Sequence, residues 1–204
     1  MSLPELREPV LVAVFAGALV LRHLAQLWLT RSKIPGTRSG WATTTLLFVC
    51  YVGAMGVALA RVASGAVAMW SLVAGGAIWA AAVAFRMWAL AHLAEQFSSL
   101  IEVRPEHRLV DTGPYSIVRH PLHLAFGLEV GAFAMIAFSA WAAAPGALVW
   151  AVIIARNRVE EAALRAHFGR VYDEYAARVP SMDVVRGIVR RMRRGARPRH
   201  EDRA

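Results

Sequence analysis

The chain has 204 residues, 57% of them hydrophobic and 18% charged, with a net charge of +9 and a mean hydropathy of +0.44. A soluble domain averages about 45–50% apolar and about 25% charged residues, so this balance points to a membrane bundle. A single cysteine, Cys50, rules out an intrachain disulfide.

Pro9 to Thr30 is the first apolar segment and reaches the ~20 residues a spanning helix needs. It does not read as a cleaved signal peptide, because its start, MSLPELREP, is not basic and the run is too long. Arg22 and His23 lie inside it, and Arg22 is expected to snorkel toward the nearby end. TRSKIPGTRSG (30–40) reads as a positively charged loop, and Trp41 to Ala60 as the second span with Trp41 as interface anchor. The third span is expected over Val67–Gln96, where Gly75, Gly76, Ala77, Ala80 and Ala81 permit close helix packing. Arg86, His92 and Glu95 near its far end suggest that this end meets water or a site.

A polar connector, Phe97 to Pro121, follows and is long for a plain loop. Leu122 to Ala155 is apolar for 34 residues, which as one helix would run about 50 Å. A hairpin of two short helices, turning near Ser139–Trp141 with Pro145 in the first turn of the second arm, fits better. Glu129 is a carboxylate inside this hairpin. It is either functional or paired to Arg22, Arg86 or a backbone group. From Arg156 an amphipathic helix begins, with Leu164, Phe168, Tyr172 and Tyr175 on one face, a break at Gly169 and an end at Pro180. Val184–Arg197 reads as a basic segment on the membrane surface.

The expected fold is therefore an all-α integral membrane protein of about five transmembrane helices, with a helical hairpin formed by the fourth and fifth and a cytoplasmic C-terminal amphipathic region. Three parts follow: an N-terminal three-helix part (1–96), a connector, hairpin and catalytic helix (97–180), and a basic tail (181–204). Residues 156–204 hold thirteen arginines against seven acids. By the positive-inside rule that tail, the 31–40 loop and the connector are expected on the cytoplasmic side. Membrane lipids, rather than nucleic acid, suit the basic tail.

Several chemistries lack their motifs. There is no GxGxxG or GxxxxGK[ST] for a nucleotide. No HExxH or cysteine cluster accompanies His107, His120 and His123, so no metal is expected. No Ser/His/Asp set with a nucleophile elbow is visible.

The stretch HRLVDTGPYSIVRHPLHLA (His107–Ala125) and, after the hairpin, RNRVEEAALRAHFGRVYDEYAARVP (Arg156–Pro180) resemble the isoprenylcysteine carboxyl methyltransferase family. Its members are integral membrane enzymes that use S-adenosylmethionine and are related to phospholipid methyltransferases. The resemblance covers about the C-terminal 40% of the chain. It departs from the family pattern at His123, where tyrosine is usual, and at Ala125, where glycine is usual. It implies cofactor contacts from Glu102, His107, Arg108, Leu109, Val110, Tyr115, His120, Pro121, Leu122 and His123. Arg156 and Glu160 would stand at the methyl acceptor, with Arg119 and Glu161 as additional candidates.

The implied function is S-adenosylmethionine-dependent methyl transfer to a carboxylate or hydroxyl of an isoprenoid or alkyl-chain substrate. The arginine-rich composition points to a bacterial inner membrane. A carboxylate acceptor is already ionised and needs no base, whereas a phenol or enol needs one, a role open to His123. A phospholipid-type amine methyltransferase, a membrane reductase and a non-catalytic scaffold are the alternative readings.

Overall fold

A computed structural model of the chain describes residues 3–29, 41–93 and 109–195. It is built of helices: α1 (Leu3–Leu29), α2 (Trp41–Ala63), α3 (Met69–Leu93), α4 (Pro121–Ala137), α5 (Ala140–Phe168), α6 (Arg170–Arg178) and α7 (Val184–Gly195). A short 3-10 turn, Gly113–Ser116, precedes α4.

α1, α2, α3 and α5 are long and apolar enough to cross a membrane. α4, with 17 residues, is shorter and reaches only about 26 Å at 1.5 Å per residue, just under a ~30 Å hydrocarbon core. It is also the most enclosed helix, packed against α2, α3 and α5. Val130, Phe133, Ile136 and Ala137 of α4 meet Tyr51, Ala54, Ala58 and Val62 of α2 and Ala142, Val149 and Ile153 of α5. Apolar side chains elsewhere face outward, among them Val14, Leu21, Phe48, Val73 and Trp141. An apolar exterior around an apolar core is how a helical bundle sits in lipid.

α3 lies against α4 because Gly75 has no Cβ; one there would strike Ile136 and the Ala132 carbonyl. Gly76, on the same stretch, faces open space. The hairpin turns at Phe138, in the left-handed region at φ 44°, with Ser139 as N-cap of α5. The last carbonyls of α4 find partners across the bundle: Arg61 Nε donates to Ala137 O (3.2 Å) and Ser71 Oγ to Ile136 O (3.4 Å).

Pro145 stands inside α5, one turn later than the expected first turn, so the helix forgoes one backbone hydrogen bond there. α5 does not stop at the membrane end of its apolar stretch. It continues unbroken for 29 residues, and Arg156–Phe168 is its polar extension. Gly169, at φ 54°, breaks it from α6 as expected.

Arg22 corrects the sequence reading. Rather than snorkelling outward, it is buried, and its Nε and Nη2 donate to Glu129 Oε2 (3.1 and 2.9 Å). Arg86 Nε donates to Glu129 Oε1 (2.5 Å) and Tyr51 Oη to Oε2 (3.2 Å). Glu129 is fully buried, so an ionised carboxylate there requires these partners. The paired alternative for Glu129 is the one the fold adopts, with both arginines at once.

Candidate active site

Residues 109–120, which lead into α4, fold as a chain of tight turns. Gly113 sits at φ 56°, and a side chain there would collide with the His92 ring. Both the backbone angle and the close approach of α3 therefore demand glycine. Ser116 Oγ donates to Gly113 O (2.6 Å) and Tyr115 N–H to Thr112 O (3.0 Å), closing the turn. This buries Tyr115. Pro121 then opens α4 at its first position, behind His120 as N-cap.

The C-terminal elements clamp this stretch. Arg119 is the centre of the clamp. Its Nε and Nη2 donate to Glu161 Oε1 (3.1 and 2.7 Å) and its Nη1 to the carbonyls of Ala176 (2.9 Å) and Val179 (2.5 Å). The backbone N–H groups of Arg119 and His120 donate to Pro180 O and Ser181 O (2.9 and 3.1 Å). Tyr175 Oη donates to Tyr115 O (2.8 Å). α7 presses on the same stretch through Gly187, where a Cβ would strike the Ile117 carbonyl. Tyr172, Tyr175 and Val179 form a second small core, against which Leu109 packs. Burial and the nearby Glu161 carboxylate push the Tyr172 hydroxyl up to about 12, and burial next to Tyr172 raises Tyr175 as well. Both therefore remain neutral hydroxyls.

Two histidines and two glutamates meet where α4 starts and α5 leaves its apolar stretch. The His120 and His123 rings stack at 5.8 Å between centroids. His120 Nε2 lies 3.0 Å from Glu161 Oε1, and the Nδ1 atoms of both rings lie 3.8 Å from Glu160 Oε2. His123 Nδ1–H donates to Asn157 Oδ1 (2.6 Å), and Asn157 Nδ2 donates to Met182 Sδ (3.3 Å). That fixes the His123 tautomer and leaves its Nε2 with the lone pair. The ligating atoms of His120, His123 and Glu160 fall within 4.8 Å of one another, a spacing that also suits a metal ion. A metal at His123 Nδ1 would displace the Asn157 bond.

Arg156 is buried, and its Nη1 donates to Thr43 and Thr44 of α2 (2.9 and 2.8 Å). It is thus not one half of a surface ion pair. Glu160, one turn along the same face, stays partly open. Tyr115 Oη is buried without a hydrogen-bond partner. Burial first, then the charges of Glu160 and Tyr175, raise the Tyr115 hydroxyl far above its ordinary range, while Arg86 pulls the other way.

The fold therefore brings together Tyr115, Arg119, His120, Pro121, Leu122, His123, Arg156, Glu160 and Glu161. Leu109 and Val110 are half-buried beside them. Glu102, His107 and Arg108 lie outside the described residues. Asn157, Thr43, Thr44 and Met182 are additions that sequence reasoning missed. Of these, only Asn157 carries a sequence signal, its place on the Arg156–Glu161 stretch.

These features define an all-α membrane protein with a buried polar site at one end of the bundle. The sequence pattern of the isoprenylcysteine carboxyl methyltransferase (ICMT) family matches residues 73–166. Protein-S-isoprenylcysteine O-methyltransferase B of Arabidopsis thaliana is 39% identical over 99 residues, covering 47% of this chain and 50% of the relative. The chain thus matches about half the length of that curated relative. Probable protein-S-isoprenylcysteine O-methyltransferases of Oryza sativa, subspecies indica and japonica, are each 29% identical over 178 residues, 82% of this chain and 93% of theirs. Over residues 73–166 the chain is thus similar to the ICMT family.

Proposed function

We propose that the protein is a membrane methyltransferase that moves the methyl group of S-adenosylmethionine to the carboxylate of a lipophilic, isoprenoid or alkyl-chain substrate. The observation that carries this is the convergence of the two resemblance blocks: His120 and His123 from the first meet Arg156, Asn157, Glu160 and Glu161 from the second, far apart in sequence. The curated relatives are named for O-methylation of protein S-isoprenylcysteine. We read the same chemistry here, with the substrate class left at a lipophilic carboxylate.

The residues fit the cofactor. A buried tyrosine hydroxyl without a partner, imidazoles and backbone groups of an irregular turn suit an amino-acid end, a nucleoside and a sulfonium cation. Tyr115, His120, Pro121, Leu122 and His123 would hold it, joined by Leu109 and Val110 and by Glu102, His107 and Arg108. When bound, S-adenosylmethionine supplies an electrophilic methyl group. Displacement at that carbon is in-line, so the protein's contribution is positioning and exclusion of water. Arg156, anchored on Thr43 and Thr44, holds the acceptor carboxylate, and its planar guanidinium matches a carboxylate's two oxygens. Glu160 balances that charge. The Arg119–Glu161 clamp keeps the histidines against the helix that carries Arg156.

One observation favours a second reading. Asn157 accepts the hydrogen bond of His123 Nδ1–H and leaves Nε2 with its lone pair, the form a general base for a phenol or enol requires. The site is read as facing the cytoplasm, beside the basic α7.

The test is calorimetric binding of S-adenosylmethionine and S-adenosylhomocysteine to detergent-purified protein. Transfer of a tritiated methyl group to farnesylcysteine-type carboxylates and to alkylresorcinol-type phenols is then compared. Binding with carboxylate labelling supports the first reading, and phenol labelling the second. A folded sample that binds neither cofactor form refutes both and leaves a non-catalytic protein of the same fold.

A further inference from the structure

The ion cluster inside the bundle does not close on itself. Arg22 and Arg86 face one carboxylate, Glu129, and all three are buried. Glu129 spends its oxygens on both arginines and on Tyr51. One positive charge is therefore left over among the described residues of this cluster. It surfaces at a definite atom: Arg86 Nη2 is buried and has no hydrogen-bond partner. The Arg86 guanidinium also lies over the Phe126 ring, 5.4 Å from its centroid, one turn from His123 on α4.

A second orphan stands on the same side. Tyr115 Oη is buried and unpartnered, in a turn packed directly against α3. The charge of Arg86 reaches this hydroxyl. A buried donor that finds no acceptor is costly, and a surplus charge in a low-dielectric interior more so. Two buried unpartnered donors, one on α3 and one in the turn packed against it, with one surplus cation, describe the complement of an anion.

We propose that Arg86 Nη2 and Tyr115 Oη form a carboxylate-binding seat on the membrane side of the active site, outside both resemblance blocks where Arg86 is concerned. It rests on the methyltransferase reading and adds a binding residue from α3 to it. The ligand group is a carboxylate, from the amino-acid end of the cofactor or, in place of Arg156 as its holder, from the acceptor. Either would set a carboxylate against the surplus cation of the Arg22–Glu129–Arg86 cluster; the cofactor's carboxylate brings its own ammonium group with it, the acceptor's does not.

Calorimetry on full-length protein in detergent tests this with matched probes. S-adenosylhomocysteine carries the carboxylate and 5′-methylthioadenosine lacks it. N-acetyl-S-farnesylcysteine carries it and its methyl ester does not. In Arg86→Met, one carboxylate probe should bind about 10- to 100-fold more weakly, the span of one lost charge-assisted hydrogen bond. The probe without the carboxylate should stay within about twofold. Selective loss of S-adenosylhomocysteine assigns the seat to the cofactor, and selective loss of the farnesylcysteine acid assigns it to the acceptor. A folded Arg86→Met that binds both acids as wild type does overturns the seat and leaves the methyltransferase reading standing.

If Arg86→Met does not fold, Tyr115→Phe decides, since it removes only a hydroxyl. A selective loss of about 2- to 10-fold for a carboxylate probe supports the seat, and equal binding of both acids overturns it. Wild-type protein that binds none of the four probes refutes the methyltransferase reading itself, and the seat with it.

Discussion

Replacing Glu129 by glutamine keeps the side chain's shape and removes its charge. Glu129 is fully buried and accepts from Arg22 Nε and Nη2, Arg86 Nε and Tyr51 Oη. The glutamine oxygen can retain part of this set, but its amide nitrogen faces a guanidinium. Two buried arginines then lack a counter-charge. Removing one partner of a buried ion pair costs about 3–5 kcal/mol, a large share of the roughly 5–15 kcal/mol that holds a protein folded. For a chain of this length each kcal/mol moves the melting temperature by about 2–4 °C. The expected drop is therefore about 6–20 °C. The seven tryptophans give an intrinsic fluorescence signal for thermal unfolding in detergent. Leucine at 22, 86 and 129 together should recover most of the loss, because the cost lies in the unpaired charges. A fall below about 2 °C in the single variant, or no recovery in the triple, would refute the account of the cluster.

Arg119→Met removes four donated hydrogen bonds from a side chain only 12% exposed. It should cost about 3 kcal/mol and lower S-adenosylhomocysteine affinity. Arg165→Ala, at 46% exposure, should leave melting and binding within error, and equal effects would disprove the clamp. Gly113→Ala should cost more than about 1 kcal/mol for the left-handed backbone alone. Adding His92→Ala should restore only the steric part, as read from melting of the double variant. Arg156→Lys and Glu160→Gln should each lower methyl transfer at least tenfold without moving the melting temperature by more than about 2 °C; unchanged turnover would remove either from the acceptor site. His123→Tyr should retain transfer to a carboxylate and lose transfer to a phenol, and an undiminished phenol rate would exclude His123 as the base.

The hairpin, its turn at Ser139 and the breaks at Gly169 and Pro180 were legible in the sequence because apolar runs and turn residues encode them locally. The resemblance blocks likewise pointed to the residues now gathered at the bundle end. What escaped depends on the direction in which a helix faces. Arg22 lies near the end of an apolar run, which alone suggests an outward side chain. Only the packing of α1 against α2 and α3 brings its long side chain onto Glu129 of α4. Asn157 is an ordinary residue on a polar helix until α4 places His123 opposite it. Thr43 and Thr44 sit at the start of α2, and their role depends wholly on where α5 ends up. Arg119 showed its charge in the sequence, but two of its four bonds go to backbone carbonyls of α6 and its end, which no side-chain pattern reports.

The backbone pairing of Arg119 and His120 with Pro180 and Ser181 has a consequence for the order of assembly. Those partners are separated by the whole of the α4–α5 hairpin and α6. During synthesis the hairpin can enter the bilayer with the His120 turn still unbraced, and the turn acquires its final backbone partners only after residues 180–187 have left the ribosome. Membrane insertion and completion of the polar end are thus separate events in time. A chain halted after Arg178 would span the membrane with its core helices in place and the backbone of the Arg119–His120 turn unbraced.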